Sequence, residues 1–111
     1  AQGMVAAYSA NLFIQVLWQT APGASDPTFL VDLILDDAYD TRTGELSMTQ
    51  VRNMNVLYSS IGTNASPLLP FGGVGGWTCG DRVFAWKTYT PDSGSAQALF
   101  NDAINRFVCQ Q

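Results

Sequence analysis

Hydrophobic and polar residues alternate from Tyr8 to Gln19. Tyr8, Ala10, Leu12, Ile14, Val16 and Trp18 fall on one side, and Ser9, Asn11, Phe13, Gln15, Leu17 and Gln19 on the other. A period of two is the mark of a half-buried strand. Phe13 and Leu17 make the second side apolar as well, and so are candidate dimer contacts. The stretch Thr20–Pro27, "TAPGASDP", reads as a loop. From Thr28 to Asp37, "TFLVDLILDD", the alternation resumes and predicts a second strand, paired antiparallel with the first.

Ala38–Glu45 reads as a turn ending near Gly44. Ser47 and Gln50 have capping-box spacing, and Val51, Met54, Tyr58 and Ile61 follow at helical intervals, with Gly62 as a stop. A helix is therefore expected there. Residues 62–81 read as a long glycine-rich loop, "LLPFGGVGGWTCGD" at its end. Arg82–Tyr89 is aromatic and β-branched, a third strand. The last segment is the clearest. Asp92 or Ser93 caps a helix whose Ala96, Leu99, Phe100, Ala103, Ile104, Phe107 and Val108 form one apolar stripe. The order strand-strand-helix-strand-helix predicts an α+β fold: a small, mainly antiparallel sheet with two helices packed on one face.

At 111 residues the chain has room for a single domain, 1–111. Hydrophobic content is 47% and charged content 13%, against a usual ~25% charged. Apolar surface beyond the needs of one core favours self-association, so a homo-oligomer is expected. The net charge is −4 and the basic residues Arg42, Arg52, Arg82, Lys87 and Arg106 are scattered. That speaks against nucleic acid and against anionic membranes. No apolar run is long enough for a membrane-spanning helix.

There is no histidine. Histidine-based triads and histidine-ligated zinc are excluded. The two cysteines, Cys79 and Cys109, make an even count, and the chain starts at Ala1, which reads as a processed or truncated terminus. Together these predict a Cys79–Cys109 disulfide and a secreted protein.

The glycine-rich segment has no phosphate-loop chemistry: Gly75 and Gly80 are spaced correctly, but Asp81 and Arg82 follow them. It predicts a stapled loop in which the glycines permit close backbone approach, Phe71 and Trp77 anchor the loop and Cys79 ties it; the functional alternative is a glycine-walled binding lip, with Trp77, Phe71, Gly75 and Gly76 as its candidates and Trp18 as a further one. Asp32, Asp36, Asp37, Asp40 and Glu45 gather acidic charge, but their pattern is not an EF-hand; a looser calcium site is the remaining option, and no metal or cofactor is called for. A small hydrolase would have to pair Asp36 or Asp37 with Glu45 or Asp81. An inhibitor or toxin would present the Thr20–Pro27 loop. Asn64-Ala-Ser66 is a candidate glycosylation site.

The size, the missing histidine, the acid-leaning surface and the strand "NLFIQVLW" resemble small secreted fungal proteins of the immunomodulatory or effector type. The best-known fungal immunomodulatory proteins are immunoglobulin-like sandwiches without cysteine, and Cys79, Cys109 and the C-terminal helix depart from them. The resemblance implies a compartment and a style of action: a secreted, non-enzymatic protein that binds a protein or glycan partner. It carries over no site residues.

Overall fold

The computed structural model describes residues 2–9, 11–22, 26–45, 47–52 and 54–109. Its elements are β1 (Gln2–Ser9), β2 (Leu12–Thr20), α1 (Thr28–Ile34), β3 (Asp40–Arg42), β4 (Ser47–Val51), β5 (Met54–Thr63), β6 (Phe71–Cys79), β7 (Arg82–Thr90) and α2 (Ser93–Arg106). All seven strands belong to one antiparallel sheet in the order β1-β2-β7-β6-β5, with β3 and β4 side by side along the far edge of β5. The fold is therefore far richer in strand than the expected small sheet.

The two helices lie on opposite faces of the sheet, which corrects the expectation of one shared face. Because successive strand side chains alternate, each strand feeds both layers. On β7, Val83, Ala85 and Tyr89 join Val74 and Ile61 under Leu30, Val31 and Ile34 of α1. Phe84 and Trp86 point the other way and join Trp77, Val56 and Met54 under Phe100 and Ile104 of α2. The central strands are covered twice and the molecule is a three-layer helix-sheet-helix sandwich. A sheet with both faces buried loses the apolar-polar alternation that identifies strands in sequence.

Three expected elements change identity for related reasons. Within the expected strand Thr28–Asp37, Thr28–Ile34 is a helix instead. Its buried residues, Leu30, Val31 and Ile34, are spaced for one helical face, while Phe29 and Leu33 are exposed. Asp26 Oδ1 accepts the Thr28 amide at 2.8 Å, and Pro27 stands at the entry, where a fixed φ suits a helix start. A short apolar run of this kind fits either period, and the Asp-Pro start was the signal in favour of the helix. The expected helix at 47–61 is the hairpin of β4 and β5, with Val51 opposite Met54 and Arg52 at a φ of 47° in the turn. The expected loop at 62–81 contains the end of β5 and, from Phe71 to Cys79, β6, a central strand of the sheet.

The expected turn at Ala38–Glu45 also contains the short strand β3, and α2 ends at Arg106, before the expected stripe residues Phe107 and Val108; three other expectations stand. The alternation in the first strand is that of β2, with Ile14, Val16 and Trp18 on one side and Phe13, Leu17 and Gln19 on the other; Tyr8 and Ser9 belong to the preceding β1. Strand β7 falls where the aromatic segment predicts it. Helix α2 starts at an Asp92 cap whose Oδ1 accepts the Ser95 amide at 2.9 Å.

Candidate functional site

The glycine-rich segment resolves first. In β6, Gly75 and Gly76 point to opposite faces, and each lies directly beneath a helix. A Cβ on Gly75 would stand 2.4 Å from Phe100 of α2, and one on Gly76 would stand 2.7 Å from Val31 of α1. The glycines therefore serve close packing of both helices on one strand. They do not line a lip. Trp77, beside them, is 4% exposed and stacks on Phe84 at 5.4 Å, with Phe107 edge-on at 5.2 Å. It is a core side chain, and its indole nitrogen has no hydrogen-bond partner among the described residues. Phe71 is 43% exposed at the start of β6, and Trp18 lies half-buried across Gly3 of β1. The expected binding lip is thus taken apart: Gly75, Gly76 and Trp77 are interior, and Phe71 and Trp18 lie in separate places. After β6 the chain reverses through Gly80, at a φ of 59°, into Arg82. A two-residue turn with positive φ at its first position is the hairpin form that favours glycine there.

Cys79 and Cys109 are disulfide-bonded, with their Cα atoms 5.6 Å apart. The bond ties the end of β6 to the chain beyond α2. Arg52 adds a second clamp: its guanidinium donates to the carbonyl oxygens of Ile104 and Phe107, at the C-terminal end of α2 where the helix presents unpaired acceptors.

A buried charged cluster lies on the α1 face. Asp40 of β3 has a side chain with 0% exposure, and Lys87 of β7, the single lysine of the chain, pairs with it with 5% exposure, β6 and β5 lying between the two strands in the sheet. Asp40 Oδ1 accepts from Thr63 Oγ1 and from Tyr89 Oη, each at 2.7 Å. Asp40 Oδ2 accepts from the Asp36 amide at 2.9 Å and from Lys87 Nζ at 3.0 Å. A carboxylate has about four acceptor positions, and all are filled. Burial alone pushes the Asp40 carboxyl up; the donors from Asp36, Tyr89, Thr63 and Lys87 together outweigh it and hold the group below the usual carboxylate range. The same burial, with the negative Asp40 beside it, pushes the Tyr89 hydroxyl well above the ordinary tyrosine value. A carboxylate saturated in this way is a structural tie between β3, β5, β7 and the exit of α1. It has no free position for a substrate. The sequence signal was a lone lysine inside the apolar run "RVFAWKTYT", which the scattered-charge reading passed over.

The other acidic residues form no site. Among the described residues no group of three or more histidine, cysteine or carboxylate side chains could hold a metal. Asp32 faces Arg42 at 4.0 Å on the surface. Asp36 adjoins Asp40 near Lys87, whereas Asp81 lies in the turn at the other end of β7, a strand distance of roughly 20 Å. Hydrolytic carboxylate pairs need about 5–10 Å, so Asp36 and Asp37 do not pair with Asp81. Glu45 is exposed on the β3–β4 connection. Asn64 is exposed in the loop after β5, where its amide donates to the Tyr39 carbonyl at 3.0 Å. Of the Thr20–Pro27 loop, residues 23–25 lie outside the described residues.

The two edges of the sheet differ sharply. The β3/β4 edge is broken into short strands and carries the exposed charges of Arg42 and Glu45. The β1 edge is a continuous eight-residue strand with neither charge nor proline, and no charged residue occurs before Asp26. Neither helix covers it: Met4 is 60%, Val5 55% and Tyr8 75% exposed. Phe13 and Leu17, the expected dimer contacts, sit one strand further in. They are half-buried and pack on the α1-side core, with Phe13 stacked on Tyr89 at 5.1 Å. A groove of about 290 Å³ between α1 and the β1–β2 hairpin, lined by Met4, Leu17, Trp18, Leu30 and Leu33, continues the apolar surface inward from that edge.

No protein-family model matches the chain, and none of the curated proteins matches it in sequence. No helix among the described residues is long and apolar enough to cross a membrane.

Proposed function

We propose that this protein is a secreted, non-enzymatic interaction protein that works as a homodimer joined along β1. The bare edge carries the reading. A free edge strand presents unpaired amides and carbonyls, and folded proteins guard such strands with charge, proline or a covering element. Here one edge has charge and interruption, and the other has none of these. Two copies of β1 running antiparallel satisfy each other's backbone groups about a two-fold axis, with no like charges opposed. The exposed Met4, Val5 and Tyr8 then gain cover on both faces, and the groove beside Leu33 lies next to the new contact. The disulfide supports the extracellular compartment. The dimer then presents two copies of any partner surface, in the manner expected of small secreted proteins that act on receptors or glycans.

Light scattering during size exclusion tests it. The wild type is expected at twice the 12.0 kDa chain mass. Val5→Lys, which sets like charges near one another across the axis, is expected to give a monomer with unchanged far-ultraviolet dichroism. A monomeric wild type at every concentration, or a Val5→Lys protein of undiminished mass, would overturn the proposal.

A further inference from the structure

On the α2 face, away from β1, a groove of about 320 Å³ runs between α2 and β4. That volume is within the range of about 300–1,000 Å³ typical of small-ligand sites. One wall is α2, which contributes Gln97, Asn101 and Asn105, spaced four residues apart and exposed. At a rise of about 1.5 Å per residue, their carboxamides repeat every ~6 Å along one line of the helix. The other wall is β4, whose Ser47 and Thr49 point across the groove from alternate positions. The floor is apolar: Val56, Tyr58, Phe100 and Ile104. Tyr58 Oη is buried, close to where a Cβ on Gly73 would stand.

We infer that this groove binds a neutral oligosaccharide. Every polar group in its walls is a carboxamide or a hydroxyl, and every one of them can both donate and accept. That is the chemistry that matches rows of sugar hydroxyls, which also do both. No charged side chain lines the groove, so an anionic or cationic ligand would be desolvated without a counter-charge. The nearest charges on α2, Asp102 and Arg106, are paired with each other at 3.0 Å. None of the three carboxamides has a hydrogen-bond partner among the described residues, so they are available to a ligand. An extended peptide is the competing occupant. It would pair with the backbone of β4 and take specificity from pockets for alternate side chains, leaving the carboxamide row unused. The inference deepens the interaction reading by naming a ligand class, but does not depend on pairing through β1.

The test is a titration of isotope-labelled protein with laminarihexaose, chitohexaose and a free high-mannose N-glycan, with sialyllactose as the charged control. The side-chain amide resonances of Gln97, Asn101 and Asn105 give the readout. At least one neutral saccharide is expected to shift them with a dissociation constant below about 1 mM. Asn101→Ala and Thr49→Val, both at exposed positions, are expected to weaken it about tenfold each, a loss of about 1.4 kcal/mol. The monomeric Val5→Lys protein is expected to bind as the wild type does, which separates this site from the dimer edge. A response to the glucan or chitin oligomer points to polysaccharide as the source, and a response to the mannose glycan to glycoprotein; either supports the site. The inference is overturned if no neutral saccharide binds more tightly than about 1 mM, if sialyllactose binds equally well, or if Asn101→Ala binds as tightly as the wild type.

Discussion

At the scale of the residue, the chain concentrates its electrostatic stake in one place. Lys87 and Asp40 are both removed from water, and such a pair holds only because every remaining acceptor position on the carboxylate is filled. Removing one partner leaves an uncompensated buried charge. Asp40→Asn is therefore expected to destabilise the fold by about 3–5 kcal/mol, read from denaturant unfolding. Two shifted groups of this cluster contribute to the pH dependence. Asp40 has a folded value below its unfolded one of about 3.9, so its contribution is complete above that pH and fades as pH falls through the folded value. Tyr89 is raised, so its contribution is complete below the unfolded value of about 10 and is lost as pH climbs toward the folded one. Thermal unfolding midpoints should thus form a plateau between about pH 4 and 10, and Tyr89→Phe should weaken the alkaline limb, to which the half-buried Tyr58 also contributes, while leaving the acid one. Lys87 gives an independent check. Acylation of the native protein followed by peptide mass mapping should leave Lys87 unmodified, and unfolding should expose it.

At the scale of the element, β6 is the strand on which both helices rest. Its glycines remove side-chain bulk where Phe100 and Val31 press from opposite faces. A methyl at either position must displace a helix or its neighbouring backbone, since Leu57 O lies 2.6 Å from a Cβ at Gly75 and Phe84 O lies 2.8 Å from one at Gly76. Gly75→Ala and Gly76→Ala should each cost about 1–3 kcal/mol through overpacking, even though alanine suits a strand no worse than glycine does. Helix α2 is held at its far end by the disulfide, by Arg52 and by the rings around Phe107. The bond closes a loop with a sequence separation of 30. Replacing both cysteines by alanine should lower stability by about 3–4 kcal/mol in the chain-entropy account. The native protein, denatured without reductant, should show no titratable thiol. Legibility by periodicity depended on how many faces of an element are wet; β7, buried on both faces, was read instead from its aromatic and β-branched composition. Helix α2 has one face in water, so its stripe and its Asp92 cap were plain. Strand β2, half-buried throughout, kept its alternation. Strands β5 and β6 are covered on both faces, and Asn55, Ser59 and the glycines broke any period that remained.

At the scale of the whole molecule, the sheet extends beyond its helices. Its overall extents are 40 × 25 × 23 Å, and β1 extends past the cover of the helices, whereas β2 still packs against α1. The composition foretold surplus apolar surface, but it assigned that surface to Phe13 and Leu17, which the sheet order draws inward. Strand β1 is the edge only because β2 pairs with β7, a partner more than sixty residues further along the chain. The α2–β4 groove has the same origin. Ser47 and Thr49 face Gln97 and Asn101 across about fifty residues of sequence, so no local pattern pointed to it.

The sequence by itself determined what local chemistry can enforce. It set the capped and striped C-terminal helix, the alternating first long strand, the aromatic strand at 82–90, the cysteine pair, and the absence of histidine chemistry. Each of these is decided by neighbours within a few residues, or by composition. The tertiary structure alone decided that the two helices take opposite faces, that a glycine-rich stretch becomes a central strand, that one lysine pairs with one aspartate in the interior, and which edge is left bare. Those outcomes depend on which distant segments come together, and burial on both faces erases the periodicity by which a sequence announces them.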